Sequence, residues 1–229
     1  MTIALIPARG GSKRIPRKNI KAFCGKPIIG YSIEAAQESG CFERIVVSTD
    51  DEEIASVAEQ FGAEVPFIRP NKLSNDFATT LDVIQHAIRE LKLSLIDHLC
   101  CIYATAPFVS ANDLMQARNV LKDDALDYVF SATEYRFPIQ RALRLNQNGY
   151  SEMFYEKYEK TRSQDLEPAC HDAGQFYFGK NQSFILGKGI LTGSKSKPLL
   201  LPSHRVQDID TPDDWARAEV MYQLLNKVQ

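Results

Sequence analysis

Seven cations fall between residues 9 and 26: Arg9, Lys13, Arg14, Arg17, Lys18, Lys21 and Lys26. They surround Gly10 and Gly11 and follow directly on an apolar run, TIALIPA. The whole chain carries a formal charge of −2, so this basic density is local. Such a loop suits a multiply charged anion. Ligands of open α/β sheets collect beyond the carboxyl ends of the strands, and glycines let backbone N–H groups turn inward as an anion nest. Arg9 can grip two phosphate oxygens at once, and Lys18 can supply a mobile point charge. Pro16 stiffens the loop between them. The plain alternative is a solvated basic turn, and the two glycines directly after a buried strand weigh against it. The patterns GxxxxGK[ST] and GxGxxG are both absent, which disfavours a simple ATPase or a dinucleotide dehydrogenase.

A second group lies near the carboxyl end, in HRVQDIDTPDDW. Asp208 and Asp210 are two residues apart, so in an extended stretch both carboxylates share a face and Ile209 points into the core. Two hard oxygen ligands on one face suit Mg²⁺, which keeps several waters and also takes phosphate oxygens. Helix capping is the alternative role, but Thr211 already supplies a cap, and Asp213 and Asp214 serve the helix terminus. A basic nest for a triphosphate and an acidic pair for its metal together make a nucleotidyl-transfer site, where the protein mostly positions groups and neutralises charge.

The elements that must hold these groups can be read from pattern. TIALIPA does not alternate, so it is a strand buried on both faces. A helix is expected over residues 28 to about 39, a strand over Arg44 to Thr49, and a helix in DDEEIASVAEQFG, with Asp50 and Glu53 at capping-box spacing and Gly62 as its stop. EVPFIR reads as a short strand, FATTLDVIQHAIRELKL as a long amphipathic helix and HLCCIYAT as the central strand. Ser110 and Asp113 box the next helix, and DYVFSAT is another strand. This alternation predicts an α/β Rossmann-like fold, mainly parallel, with helices on both faces. The rhythm breaks after about Thr133. Residues 134–174 read as an inserted β-rich arm, with a hairpin turn at Asn148-Gly149, and GQFYFG and KPLLLP resume the core.

The 229 residues allow one domain, expected over 1–229. With 44% hydrophobic and 24% charged residues the composition is that of a soluble globular protein. No apolar run is long enough for a membrane span, and no signal peptide is read at the start. Five cysteines without a CxxC read as reduced core thiols and point to the cytoplasm. A net charge near zero argues against a general nucleic-acid binder.

IPARGGSKRIPRKN, VSTDDEEI, RPNKLSND and DIDTPDDW together resemble the acylneuraminate cytidylyltransferases, which make CMP-sugars from nine-carbon and related 2-keto acids. These motifs run from residue 6 to 214. The resemblance implies a nucleotide-diphospho-sugar transferase fold, CTP and a 2-keto sugar acid as substrates, pyrophosphate release and Mg²⁺. By the family's pattern Ala8, Arg9, Gly10, Gly11, Ser12, Lys18 and Asn19 form the nucleotide-binding first motif. Arg69 and Asn75 match positions near cytosine and ribose. Arg9, Lys18, Asp208 and Asp210 would be catalytic, with the two aspartates holding the metal.

Within the family, YATAPF and SQDLEPACHDAGQFYFG are most similar to the pseudaminic-acid branch. A sialic acid enzyme would typically show a Gln-Pro-Thr-Ser-Pro-like segment where Tyr103 and Ala104 stand. It would show Arg-Pro-Asn-Gly where His171, Asp172, Ala173 and Gly174 stand. Tyr103, Gln175 and Tyr177 are therefore expected in the sugar pocket, with Arg162 or Arg141 meeting the sugar carboxylate. Sialic, legionaminic and 3-deoxy-octulosonic acids are the alternative substrates. An inactive nucleotide-binding regulator is the alternative of another class. The resemblance also implies a homodimer whose arm helps to complete the partner's sugar site.

Overall fold

The computed structural model describes residues 1–193 and 195–227. Its centre is a six-stranded sheet in the order β10-β6-β9-β5-β1-β4. These strands are β1 (Thr2–Pro7), β4 (Arg44–Ser48), β5 (His98–Ile102), β6 (Tyr128–Glu134), β9 (Cys170–Lys180) and β10 (Ser196–Leu200). Neighbours run parallel except around β9, which is antiparallel to both β5 and β6. Two small hairpins lie outside the sheet, β2 (Ala22–Phe23) with β3 (Lys26–Pro27) and β7 (Leu143–Leu145) with β8 (Ser151–Met153). The helices are α1 (Ile28–Ser39), α2 (Glu52–Gln60), α3 (Thr80–Glu90), α4 (Ala111–Val120), α5 (Asn181–Ile185) and α6 (Pro212–Lys227). The expected mainly parallel α/β fold is present.

Along β1, Ala4 and Ile6 enter one core with Ile33, Val47, Leu114 and Phe178. Ile3 and Leu5 enter the opposite core with Ile84, Ile88, Tyr128 and Phe184. Both faces of the strand are therefore covered, which is why it reads as a continuous apolar run. A third cluster matters more for function. Ile15 from the basic loop, Phe23 from the first hairpin and Ile209 from the acidic stretch pack with Trp215 and Ala218 of α6. Burying a side chain such as Ile209 contributes about 1.5–3 kcal/mol, and here it brings the two ends of the chain together.

Several expected elements need correction. EVPFIR forms no strand, only isolated bridges from Glu64 to Val46 and from Ile68 to Thr49. The cap of α2 is Asp51, whose carboxylate accepts from Ile54 N–H at 3.0 Å; Asp50 is freed for another contact. The arm is less β-rich than its pattern reads, since β7 and β8 are three residues each and 3₁₀ turns fill much of the rest. Its last residues, from Cys170, already belong to β9, where Asp172 pairs with Ala132. The Asn148-Gly149 turn does form. Gly149 takes φ 81°, and the Asn146 carboxamide oxygen accepts from the N–H groups of Asn148 and Tyr150.

Candidate active site

Beyond the carboxyl end of β1 lies a cavity of about 360 Å³, bordered by Arg9, Ser12, Lys13, Arg14, Lys18 and Asn19 on one side. Four of the seven cations therefore face it. The other three do structural work. Arg17 takes a left-handed backbone, φ 56°, and forks onto Asp51 at 2.5 and 2.9 Å. Lys21 sits 4.5 Å over the ring of Trp215, and Lys26 sits 4.1 Å over that of Tyr31.

The expected glycine nest is not formed. Neither Gly10 nor Gly11 has a left-handed backbone, and the Gly10 N–H donates to Asp50 Oδ1 at 3.0 Å. Gly10 is needed for close approach instead, because a Cβ there would lie 2.6 Å from Asp51 Oδ2. Ala8 is buried and donates its N–H to the Ser48 carbonyl, which ties the loop to β4. Asn19 is also buried, and its amide holds the Arg9 carbonyl at 2.9 Å. Gly10 and Gly11 are not among the residues that border the cavity, whereas four cations are.

In this conformation the cations are engaged by carboxylates. Arg9 donates to Asp76 at 2.8 Å and Lys13 to the other oxygen of Asp76 at 2.5 Å. Arg14 pairs with Asp210 at 2.9 Å. Lys18 donates to the Ile209 carbonyl at 2.7 Å and lies 3.4 Å from Asp210. Asp50 and Asp76 were not among the expected site residues. Asp76 was within reach of sequence reasoning, since it closes the RPNKLSND motif.

Arg69 and Asn75 reach the same cavity. Arg69 is 3% exposed, donates to Ser74 Oγ at 3.1 Å and lies 3.8 Å from Asp50. Burial works against its charge and the Asp50 carboxylate works for it. Asn75 shapes its own loop, accepting from Phe77 and Ala78 N–H at 2.9 and 3.0 Å.

Ile209 is fully buried, as the extended reading of the acidic stretch requires. Asp210 borders the cavity. Asp208 keeps an exposed edge, yet desolvation by its surroundings and then the Asp210 carboxylate push its pKa up. Two carboxylates that repel one another are a fit site for a divalent cation. Among the described residues no group of three His, Cys, Asp or Glu side chains is placed to hold a metal. A pair is what Mg²⁺ needs when waters and phosphate oxygens complete its shell.

The sugar-pocket expectations divide. Tyr103 borders the cavity, and its hydroxyl lies 2.9 Å from Thr80 Oγ1. Tyr177 stacks edge-on against it at 5.5 Å and donates its own hydroxyl to Asp172. Burial pushes the Tyr177 phenol far up, so it remains a donor. Gln175 does not border the cavity. It is 3% exposed, its Nε2 donates to the Arg205 carbonyl at 2.6 Å, and its Oε1 meets no donor among the described residues. Arg162 and Arg141 are not brought to this cavity either. Arg162 pairs with Asp165 at 2.9 Å on the exposed arm, and Arg141 donates to Ser163 at 3.2 Å. His171 is exposed against the ring of Tyr135.

A family model described as Cytidylyltransferase matches residues 3–172. A pseudaminic acid cytidylyltransferase of Campylobacter jejuni is 48% identical over 97% of this chain and 96% of its own length. A CMP-N,N'-diacetyllegionaminic acid synthase of Legionella pneumophila is 34% identical over 97% of this chain and 96% of its own. Among solved structures, CMP:2-keto-3-deoxy-manno-octonic acid synthetase complexed with CTP superimposes with a TM-score of 0.71 at 16% identity. That match covers 97% of this chain and 98% of the other.

Proposed function

The chain belongs to the cytidylyltransferase family, and from that premise we propose that it joins pseudaminic acid to CMP, with CTP as donor and pyrophosphate as the second product. The anomeric oxygen of the sugar acid attacks the α-phosphorus of CTP. A new O–P bond forms as the bond to the β-phosphate breaks, pyrophosphate leaves with the electron pair, and the hydroxyl proton passes to water. Arg9, Lys13, Arg14 and Lys18 hold the triphosphate once it displaces Asp76 and Asp210 from them. Arg69 and Asn75 contact the nucleoside, and Tyr103 with Tyr177 forms the wall met by the sugar. Asp208 and Asp210 would hold Mg²⁺, which when bound neutralises charge on the phosphates.

The observation that carries the reading is the meeting of four cations with Asp210 at one cavity, in a chain 48% identical to a pseudaminic acid cytidylyltransferase. The test is pyrophosphate release with CTP, Mg²⁺ and a panel of pseudaminic, legionaminic, sialic and 3-deoxy-octulosonic acids. Turnover with pseudaminic acid at the highest kcat/KM is expected. Preference for another acid would keep the nucleotide site and overturn the sugar assignment. No turnover with any of them, in folded protein, would reopen the regulator reading.

Residues 1–229 would then be one nucleotidyltransferase domain, working as a homodimer through the 134–174 arm. The arm's Phe137, Leu143, Leu145 and Tyr150 are between 62% and 82% exposed, which supports an apolar interface there. The position of Arg162 on that arm, away from its own cavity, supports a role in the partner's site. Five free thiols fit a reducing cytoplasmic setting. No helix among the described residues is long and apolar enough to cross a membrane.

A further inference from the structure

Residues 206–210 run between a 3₁₀ turn (Ser203–Arg205) and α6 without helix or strand. Such a segment has no ladder of its own to keep two like carboxylates in place. Its downstream end is held in several ways, the Asp210 carboxylate itself by Arg14 at 2.9 Å and Lys18 at 3.4 Å. Ile209 is plugged into the third core cluster, Lys18 donates to the Ile209 carbonyl, and Asp210 N–H donates to Asp214 at 3.2 Å. Upstream, Gln207 Nε2 donates to the Asp208 carbonyl at 2.7 Å and Arg136 holds Ser203 Oγ, but the tie to α4 and β9 runs through Arg205. Nη2 of Arg205 pairs closely with Asp113 and lies 3.2 Å from the Phe108 carbonyl and 3.3 Å from Ser110 Oγ. The Arg205 carbonyl meanwhile accepts from Gln175 Nε2 at 2.6 Å.

Asp113 is 4% exposed and already closes the capping box of α4 with Ser110. The helix start is therefore satisfied without Arg205. What the guanidinium adds is a tie from the acidic stretch to α4 and to the loop that begins at Tyr103. Gln175 adds a tie to β9. Four segments of the chain meet at this one residue, three positions before Asp208.

We propose that Arg205, clamped between Asp113 and Gln175, is a positioning residue that fixes Asp208 and Asp210 opposite the basic loop. This inference rests on the reading of that pair as the divalent-cation site. With the clamp loosened, Asp208 gains freedom to move relative to Asp210, which Arg14 and Lys18 hold at the cavity. All three acceptors are met by the one nitrogen Nη2, which lies a bond farther along the side chain than a lysine ammonium, so lysine keeps the charge but falls short of them unless the backbone moves.

Two variants test it in the full chain, Arg205→Lys, which keeps the charge beside buried Asp113, and Gln175→Met, which removes the donor at similar volume. Hydrogen exchange is read on the peptide spanning residues 203–211 without ligand. Mn²⁺ affinity is read by water-proton relaxation with CTP present and no sugar, and CTP affinity is read by calorimetry in EDTA. The expected result in both variants is faster exchange in that peptide and Mn²⁺ binding weakened by about tenfold, the scale for partners that orient metal ligands. CTP affinity in EDTA should not change. Unchanged exchange in both variants overturns the proposal, and so does Mn²⁺ binding that stays at the wild-type value while only the melting temperature falls. A wild-type protein that binds no Mn²⁺ with CTP overturns the metal reading of the pair, and the exchange result then decides the clamp on its own.

Discussion

Lys18 illustrates how one side chain can join both ends of the molecule: it grows from the basic loop and donates to the Ile209 carbonyl, 191 positions later. Lys18 also borders the cavity. If it stabilises the transferring phosphoryl group, Lys18→Ala should lower kcat by about 100- to 1,000-fold, the usual loss for one transition-state donor. Steady-state pyrophosphate release measures this, and unchanged kinetics would move the role to Lys13 or Arg14. The neighbours Asp210 and Ile209 should separate chemistry from stability. Asp210→Ala should abolish turnover with little change in melting temperature, because that side chain is partly solvent-facing and its pairs with Arg14 and Lys18, at a solvent-exposed edge, contribute little to stability. Ile209→Ala should cost about 2–5 kcal/mol of stability as a buried truncation. Thermal melts and turnover on the two variants make the comparison. Normal turnover of Asp210→Ala with Mg²⁺ would remove Asp210 from the site.

At the scale of elements, the start of α2 is where loop and helix meet. Asp51 caps the helix and accepts the Arg17 fork, and that pairing, with Ile54 N–H, holds its carboxyl at about 2, below the ordinary 3.8. A depressed folded value means the stabilisation is complete above the unfolded pKa and is lost as pH falls from about 4 through about 2. Asp51→Asn keeps a cap but loses the charge. It should melt below wild type at pH 6, and the gap should close over that acid window. A gap that persists at pH 2 would show that the ion pair is not its cause. Asp51→Ala should lose about 1 kcal/mol more, the value of the cap. The same element shows where sequence reasoning succeeds and where it stops. The strands β1, β4, β5, β6 and β10, the helices α1 and α4, the end of α2 and the start of α6 were legible because their signals are local: apolar runs, boxes at Ser110 and Thr211, a stop at Gly62. The choice of Asp51 over Asp50 was not, since both offer a carboxylate one residue apart. It is decided by Gly10 and Arg69, which arrive from other loops. The roles of Arg17, Lys21 and Lys26 were hidden for the same reason, because Asp51, Trp215 and Tyr31 are brought to them only by the fold. The contact of Gln175 with the Arg205 carbonyl was likewise hidden, since Arg205 lies 30 positions downstream.

On the proposed reading, a sugar carboxylate in the cavity would meet no cation from its own arm, since neither Arg141 nor Arg162 borders it. Arg162 is fixed to Asp165, away from the cavity that Tyr103 borders, while apolar residues of the same arm face solvent. A second copy related by a two-fold axis would cover that apolar face and carry its Arg162 to the first copy's site. Two inactive variants can test this together. In Arg162→Ala the core is intact and the arm is defective; in Asp210→Ala the reverse holds. A mixed dimer then contains one site in which the intact core meets the intact arm and one site that lacks both groups. Random exchange makes half of all dimers mixed, so the mixture should recover about a quarter of wild-type turnover, though each variant alone is inactive. Sedimentation must show a dimer for the wild type and for both variants, since a monomer removes the premise. If the dimers exchange subunits and no activity returns, Arg162 serves no site in the partner. If Arg162→Ala alone turns over normally, the sugar carboxylate is met by another cation, and Arg141 on the same arm becomes the residue to change.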